Sequence, residues 1–230
     1  MKWQIFYEAF FVQEGYKTFL EGLKNTAIIA VLGLFIGFFI GALIAVVKIT
    51  PVNNWLFKIL RAIGNVYVAV FRGTPIVVQL LLIHYVLFPL AGINIPALAE
   101  GFITFGLNSG AYISEIMRGG ILSVDKGQME AGRSLGMGYV ATMVRIVLPQ
   151  TIKNILPTLG NEFIALVKET SVVSFITVVD IYKAFQSIAN STYEYIVPYL
   201  MLALVYLVLV LLITLLVKLL ERRLRASDRR

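Results

Sequence analysis

Two rows of polar residues, set in otherwise apolar sequence, are where this chain could do chemistry. Asn108, Tyr112 and Glu115 recur at i, i+4 and i+7, the spacing that gathers side chains on one face of a helix, and Ser109 lies beside them. Glu162, Leu166 and Glu169 repeat that spacing, with Asn161, Lys168 and Thr170 adjacent. A carboxylate turned toward hydrocarbon is costly, so both rows must face protein or a water-filled cavity. They are candidate walls of a path for a polar solute. A carboxylate there could pair an ammonium, and an amide or phenol could hold a carboxylate. The competing reading is internal pairing, Glu115 with Arg118 at i, i+3 and Glu169 with Lys168 or a neighbour.

Bond-making chemistry is poorly provided for. There is no GxxxxGK[ST] phosphate loop, no HExxH and no GxSxG. Cysteine is absent and His84 is the single histidine, which excludes disulfides and multi-histidine metal sites. Ser109 and Ser114 have no histidine or lysine at helical spacing to activate them. His84 sits in an apolar run and reads as a hydrogen-bonded structural residue rather than a proton relay. The expectation is solute binding and passage, with no cofactor or metal on this chain.

The elements that must position these residues are helices in a bilayer. The 230 residues are 59% hydrophobic and 14% charged, against about 25% charged for a soluble domain. A hydrocarbon core of about 30 Å takes about 20 apolar residues to cross. Five stretches qualify: 26–47, 75–88 with a partly interfacial helix 55–71 before it, 97–117, 152–179 and 196–220. The reading is an all-α membrane protein with five transmembrane helices in a single domain, 1–230. Residues 1–25, rich in aromatics and interrupted by Glu8, Glu14 and Glu21, read as an amphipathic interfacial segment rather than a cleavable leader.

Charge sets the expected orientation. Lys48, Lys58, Arg61 and Arg72 fall between the first and second stretches, and Arg118, Lys126, Arg133, Arg145 and Lys153 between the third and fourth. Lys218, Arg222, Arg223, Arg225, Arg229 and Arg230 close the chain, whereas the opposite connections carry Lys183 alone. The positive-inside rule puts loop 122–149 and the C-terminus in the cytoplasm and the N-terminus outside, which an odd number of spans satisfies. The net charge of +7 is thus a matter of topology in a multi-pass plasma-membrane protein, with no nucleic-acid partner expected. The C-terminal run from Glu221 to Arg230 reads as a solvated tail that could touch anionic headgroups. Gly33, Gly37 and Gly41 form a doubled GxxxG, which packs a neighbouring helix of the same chain or of a second subunit.

The polar segment from Glu130 to Pro149, lying between two apolar stretches, needs a soluble partner. Glu130-Ala131-Gly132, then Gly136, then Ile146-Val147-Leu148-Pro149 resembles, in spacing throughout, the EAA loop of permease subunits of ATP-binding-cassette importers. Gly132 stands where that family has alanine, at about 1 kcal/mol of helix propensity. Phe71-Arg72-Gly73-Thr74-Pro75, Gly110-Ala111-Tyr112 through Glu115, Arg118-Gly119-Gly120-Ile121, Gly127-Gln128 and Leu159-Gly160-Asn161-Glu162-Phe163 resemble the polar amino-acid uptake branch.

The resemblance implies a type I importer permease fold and a set of partners. These are a second permease subunit, expected to be an identical chain, two ATPase subunits that bind ATP and Mg, an extracellular solute-binding protein and an amino-acid substrate. It implies that Glu130, Ala131, Gly132, Arg133, Ser134, Leu135 and Gly136 form a coupling helix on the ATPase. It also implies that Asn108, Ser109, Tyr112, Glu115, Glu162, Leu166 and Glu169 face the substrate. The surplus of acids leans toward a cationic amino acid, although the resemblance puts a glutamate at Glu162 in permeases for neutral and acidic ones too. The alternative is an ion-coupled secondary transporter or channel acting without an ATPase.

Overall fold

The computed structural model describes residues 2–226, so Arg229, Arg230 and the Arg225 side chain of the expected charge cluster lie outside the described part. The described residues form helices joined by short connections, with no strand among them. Helix α1 runs Lys2–Tyr7 and continues through a π-helical turn, Glu8–Val12. Glu14, in the left-handed region at φ 60°, separates it from α2, Gly15–Ile49. Helices α3, Trp55–Gly73, and α4, Ile76–Leu90, meet at an elbow of 109°. There follow α5, Ala97–Leu122, and the short α6, Lys126–Ser134. Helix α7 is continuous over 139–169, with a π-helical turn at Met143–Val147 and Pro157 inside it, and is followed by a 3₁₀ segment, Thr170–Ile176. Helices α8, Ile181–Thr192, and α9, Ile196–Ala226, complete the order.

By length and apolarity, α2 and α9 can each cross a bilayer, and α3 with α4 can do so if the bent pair is one span. Local chemistry sets the ends. Asn54 accepts a hydrogen bond from the Phe57 amide at 2.9 Å, Asp125 from Gly127 at 2.6 Å, and Asp180 from Tyr182 and Lys183 at 3.0 and 2.9 Å. Each satisfies amides that a helix start leaves orphaned. The π-helical turns Ile83–Leu87 and Met143–Val147 each stop two residues before a proline, Pro89 and Pro149. A proline ring cannot donate and crowds the carbonyl four residues back, and a widened turn relieves both.

The core is built on a contact between α2 and α5. A Cβ added at Gly33 would lie 3.0 Å from the Cβ of Phe105, at Gly37 2.8 Å from that of Ser109, and at Gly41 2.8 Å from Ile113 Cγ2. The contact is reciprocal, because Gly106 and Gly110 receive Ile36 and Ile40. The doubled GxxxG therefore packs inside this chain. Around it, Ile29, Leu80, Phe105, Leu166, Val173 and Ile176 form one buried cluster joining α2, α4, α5, α7 and the 3₁₀ segment.

Several boundaries differ from the sequence reading, the later ends of α5 and α9 among them. The first long helix begins at Gly15, and the aromatic segment before it is a separate helix whose Phe6 and Phe10 stack on Phe185 of α8. The fourth long helix begins at Tyr139 and ends at Glu169, well before Val179. The apolar run Val172–Val179 continues the hydropathy signal but not the helix, because Thr177 turns left-handed at φ 69° and Asp180 starts α8.

The interhelical approach can be tested by stability. Gly37→Ala forces a methyl into occupied space and is expected to cost about 1–3 kcal/mol, read as a lowered Tm in detergent. Gly119→Ala meets nothing within 4 Å and is expected to gain about 1 kcal/mol. Equal tolerance of the two changes would contradict the contact.

Candidate functional site

The site starts at the elbow. Gln79, buried on α4, folds its side-chain amide back to donate to the Phe71 and Thr74 carbonyls at 2.8 and 2.9 Å. These are the orphaned acceptors at the end of α3. Asn108 of α5 donates to the Gln79 side-chain carbonyl at 2.9 Å and to Phe71 at 3.3 Å. The Tyr67 hydroxyl donates to the Leu107 carbonyl and ties α3 to α5 along the same edge. This knot fixes where Arg72 leaves the backbone.

The Arg72 guanidinium stands 5.3 Å from the centroid of the Tyr112 ring, within range of a cation–π contact. One turn earlier on α5, the fully buried Ser109 donates to Glu162 Oε1 at 2.9 Å. Arg72 and Glu169 both lie within Coulombic reach of the Glu162 carboxylate. Ser109 is also the residue against which Gly37 packs, so the helix contact sets the height of this hydroxyl. A cationic fork, an aromatic face, a hydroxyl and a carboxylate are thus gathered along one edge of α5 and α7. A zwitterion fits such an array, its carboxylate on the guanidinium and its ammonium on the carboxylate.

The sequence-predicted residues divide. Ser109, Tyr112 and Glu162 come together around Arg72, with Glu169 exposed at the end of α7. Asn108 supports the elbow from behind. Glu115 is engaged elsewhere, bonded to Lys48 at 2.8 Å and to Arg118 at 2.8 and 3.0 Å, beside a cavity of about 390 Å³ that Arg61 and Asn65 also line. Leu166 is 1% exposed and belongs to the core. Arg72, which the sequence places among the charges between the first and second apolar stretches, joins Ser109, Tyr112 and Glu162 in the structure. The glycine and proline after it are the signal of a helix break, and a break inside an apolar stretch is where a charge can be held at depth. His84 pairs with the buried Glu100, across α4 and α5.

The seven residues of the expected coupling element all lie on or just beyond α6. Glu130, Ala131, Arg133, Ser134, Leu135 and Gly136 are exposed, Leu135 by 83%. Gly136, at φ +85°, ends the helix, and the Met137 amide reaches back to the Gly132 carbonyl at 3.1 Å. Gly132 is the exception and faces inward. A Cβ there would lie 2.5 Å from Thr142 Cγ2 and 3.1 Å from Ile146 Cδ1, so the third position of the motif clamps α6 to the first turns of α7. Glycine at this position goes with the methyl of Thr142. Gly132→Ala is expected to lower stability, and Thr142→Ser, which removes that methyl, to restore it. A thermal-melt double-mutant cycle with no coupling between the two sites would contradict the clamp.

Residues 33–226 match the family model described as "Binding-protein-dependent transport system inner membrane component". The chain is 38% identical to the arginine transport system permease protein of Bacillus subtilis, over 91% of this chain and 93% of that one. It is 37% identical to the L-cystine transport system permease protein of the same organism, over 93% and 89%. A crystal structure of an amino acid ABC transporter with histidines superposes with a TM-score of 0.83 at 41% identity, covering 92% of this chain and 96% of that one. With multi-pass apolar helices, an exposed EAA helix and a polar array along α5 and α7, the chain belongs to the inner-membrane permease components of binding-protein-dependent amino-acid ABC transport systems.

Proposed function

We propose that this chain forms the translocation path for a polar amino acid and is driven by a separate ATPase that grips α6. The observation that carries the reading is α7. One continuous helix has its first turns clamped to α6 through Thr142 and presents Glu162 to the polar array, 20 residues or about 30 Å further along it. A pull on α6 therefore displaces Glu162. ATP and Mg belong to the ATPase, and this chain receives the force mechanically.

The array is open on one side, since Arg72 and Glu169 are both exposed. A second copy of the chain is the proposed closing wall, which makes the working unit a permease pair with two ATPases and an extracellular solute-binding protein. The charge distribution supports five spans, with the N-terminus outside and α6 in the cytoplasm. Arg72 is assigned the substrate carboxylate and Glu162 the α-ammonium. Glu169, a second acid beyond Glu162, favours a cationic side chain such as that of arginine, lysine or histidine.

Substrate-stimulated ATP hydrolysis by the reconstituted complex, surveyed over the twenty amino acids, tests the reading. Glu162→Ala is expected to weaken stimulation about tenfold or more, about 1.4 kcal/mol, with the complex still assembled. Arg72→Gln is expected to abolish the preference for a free amino acid over its methyl ester. A preference retained in that variant would remove Arg72 from the site. Glu130→Arg is expected to leave the membrane part folded and to lose substrate-stimulated hydrolysis, and unchanged uptake would count against docking through α6. Uptake by the chain alone, driven by an ion gradient, would replace this reading with an ion-coupled transporter.

A further inference from the structure

We propose that the groove between the C-terminal half of α2, the end of α5 and the first half of α7 is a binding site for one anionic glycerophospholipid. Its headgroup phosphate would sit on Arg118 and Lys126, and one acyl chain would lie along α2. The groove has a volume of about 510 Å³, and no charged residue lines it. Ala42, Ala45, Met117, Val144, Ile152 and Ile155 contribute to its walls.

The groove adjoins a second cavity of about 490 Å³, with which it shares Ile49, Ile121, Tyr139 and Met143. That cavity is lined by Lys48, Arg118 and Lys126 against Asp125. Asp125 is committed to the Gly127 amide as the cap of α6. Glu115 holds Lys48 and one edge of Arg118, whose side chain remains 40% exposed. The Lys126 side chain is exposed at the first position of α6. An apolar slot with a basic mouth is complementary to a negatively charged headgroup carrying a long hydrocarbon tail.

The length agrees with the same occupant. From Phe38 to Ile49 the groove follows twelve residues of α2, about 16 Å of rise. That is about half of a 30 Å hydrocarbon core, the depth of a single leaflet. A lipid seated there would touch Tyr139 and Met143, in the turns of α7 that pack against α6, and so would stiffen the joint between the two helices. The inference rests on the membrane location of the chain and on the groove. It stands or falls separately from the substrate site.

Native mass spectrometry of the purified transport complex, with phosphatidylglycerol and phosphatidylcholine of matched acyl chains as probes, tests the site. Phosphatidylglycerol is expected to be retained about fivefold more tightly for each basic group engaged. Lys126→Gln and Arg118→Gln are each expected to erase part of that preference, and Ala42→Phe to reduce retention of both lipids by filling the slot. Equal retention of the two lipids by the unaltered protein, or a preference unchanged by both charge removals, would overturn the proposal. The chain has no cysteine, so a single Val144→Cys reports the competing occupant. Its oxidative cross-linking to the same position of a second copy would show that the groove is a subunit interface and would also overturn it, whereas its absence together with the lipid preference supports the site.

Discussion

The close approach of α2 and α5 is the constraint from which the rest of the structure follows. Three glycines on one helix and two on the other remove the side chains that would hold the rods apart, and the gaps are filled by Phe105, Ser109, Ile113, Ile36 and Ile40. In a bilayer, lipid tails are as apolar as the helix surface, so tight packing of this kind drives association where burial from water cannot. With α5 fixed against α2, Ser109 is buried at a set height, Asn108 reaches the elbow and Tyr112 lies under Arg72. The polar array is the far face of a helix whose near face is clamped.

A second constraint is the accounting of backbone carbonyls at the elbow. A 109° break within apolar sequence exposes helix-terminal acceptors that hydrocarbon cannot satisfy. Gln79 and Asn108 satisfy them, and the same joint holds the Arg72 guanidinium over Tyr112. At the opposite end of the molecule, Gly132 and Thr142 perform the corresponding fixation of α6 on α7. The polar array and the exposed helix α6 are thus each mounted on a locked joint, with a single helix between them.

Much of this was legible in the sequence because it rests on spacing. The i, i+4, i+7 rows contain Tyr112 and Glu162, Ser109 lies beside the first of them, and the GxxxG repeat marked a close helix contact. What was not legible depends on tertiary partners. Leu166 shares a heptad face with Glu162 and Glu169, yet points into the core because α7 is covered on that side by Val173 and Ile176. Glu115 satisfies the helical period of its row but finds Lys48, 67 residues away. Helix α8 was hidden because Val172–Val179 extends the apolar signal past the true helix end, and only the buried cap Asp180 betrays the restart. Arg72 was hidden for the opposite reason, since a charge at a break is ordinarily a loop residue.

If α6 and α7 move as one body, force applied at the proposed docking helix arrives at Glu162. Spin labels at Gln128→Cys and Thr158→Cys, both exposed positions in a chain that lacks native cysteine, measure it directly by pulsed electron–electron distance spectroscopy in the complex with its proposed ATPase. Within one chain, the distance is predicted to stay constant on addition of ATP while the distance between the Thr158→Cys labels of the two copies changes. A change in the distance within the chain, with the one between copies fixed, would contradict the account.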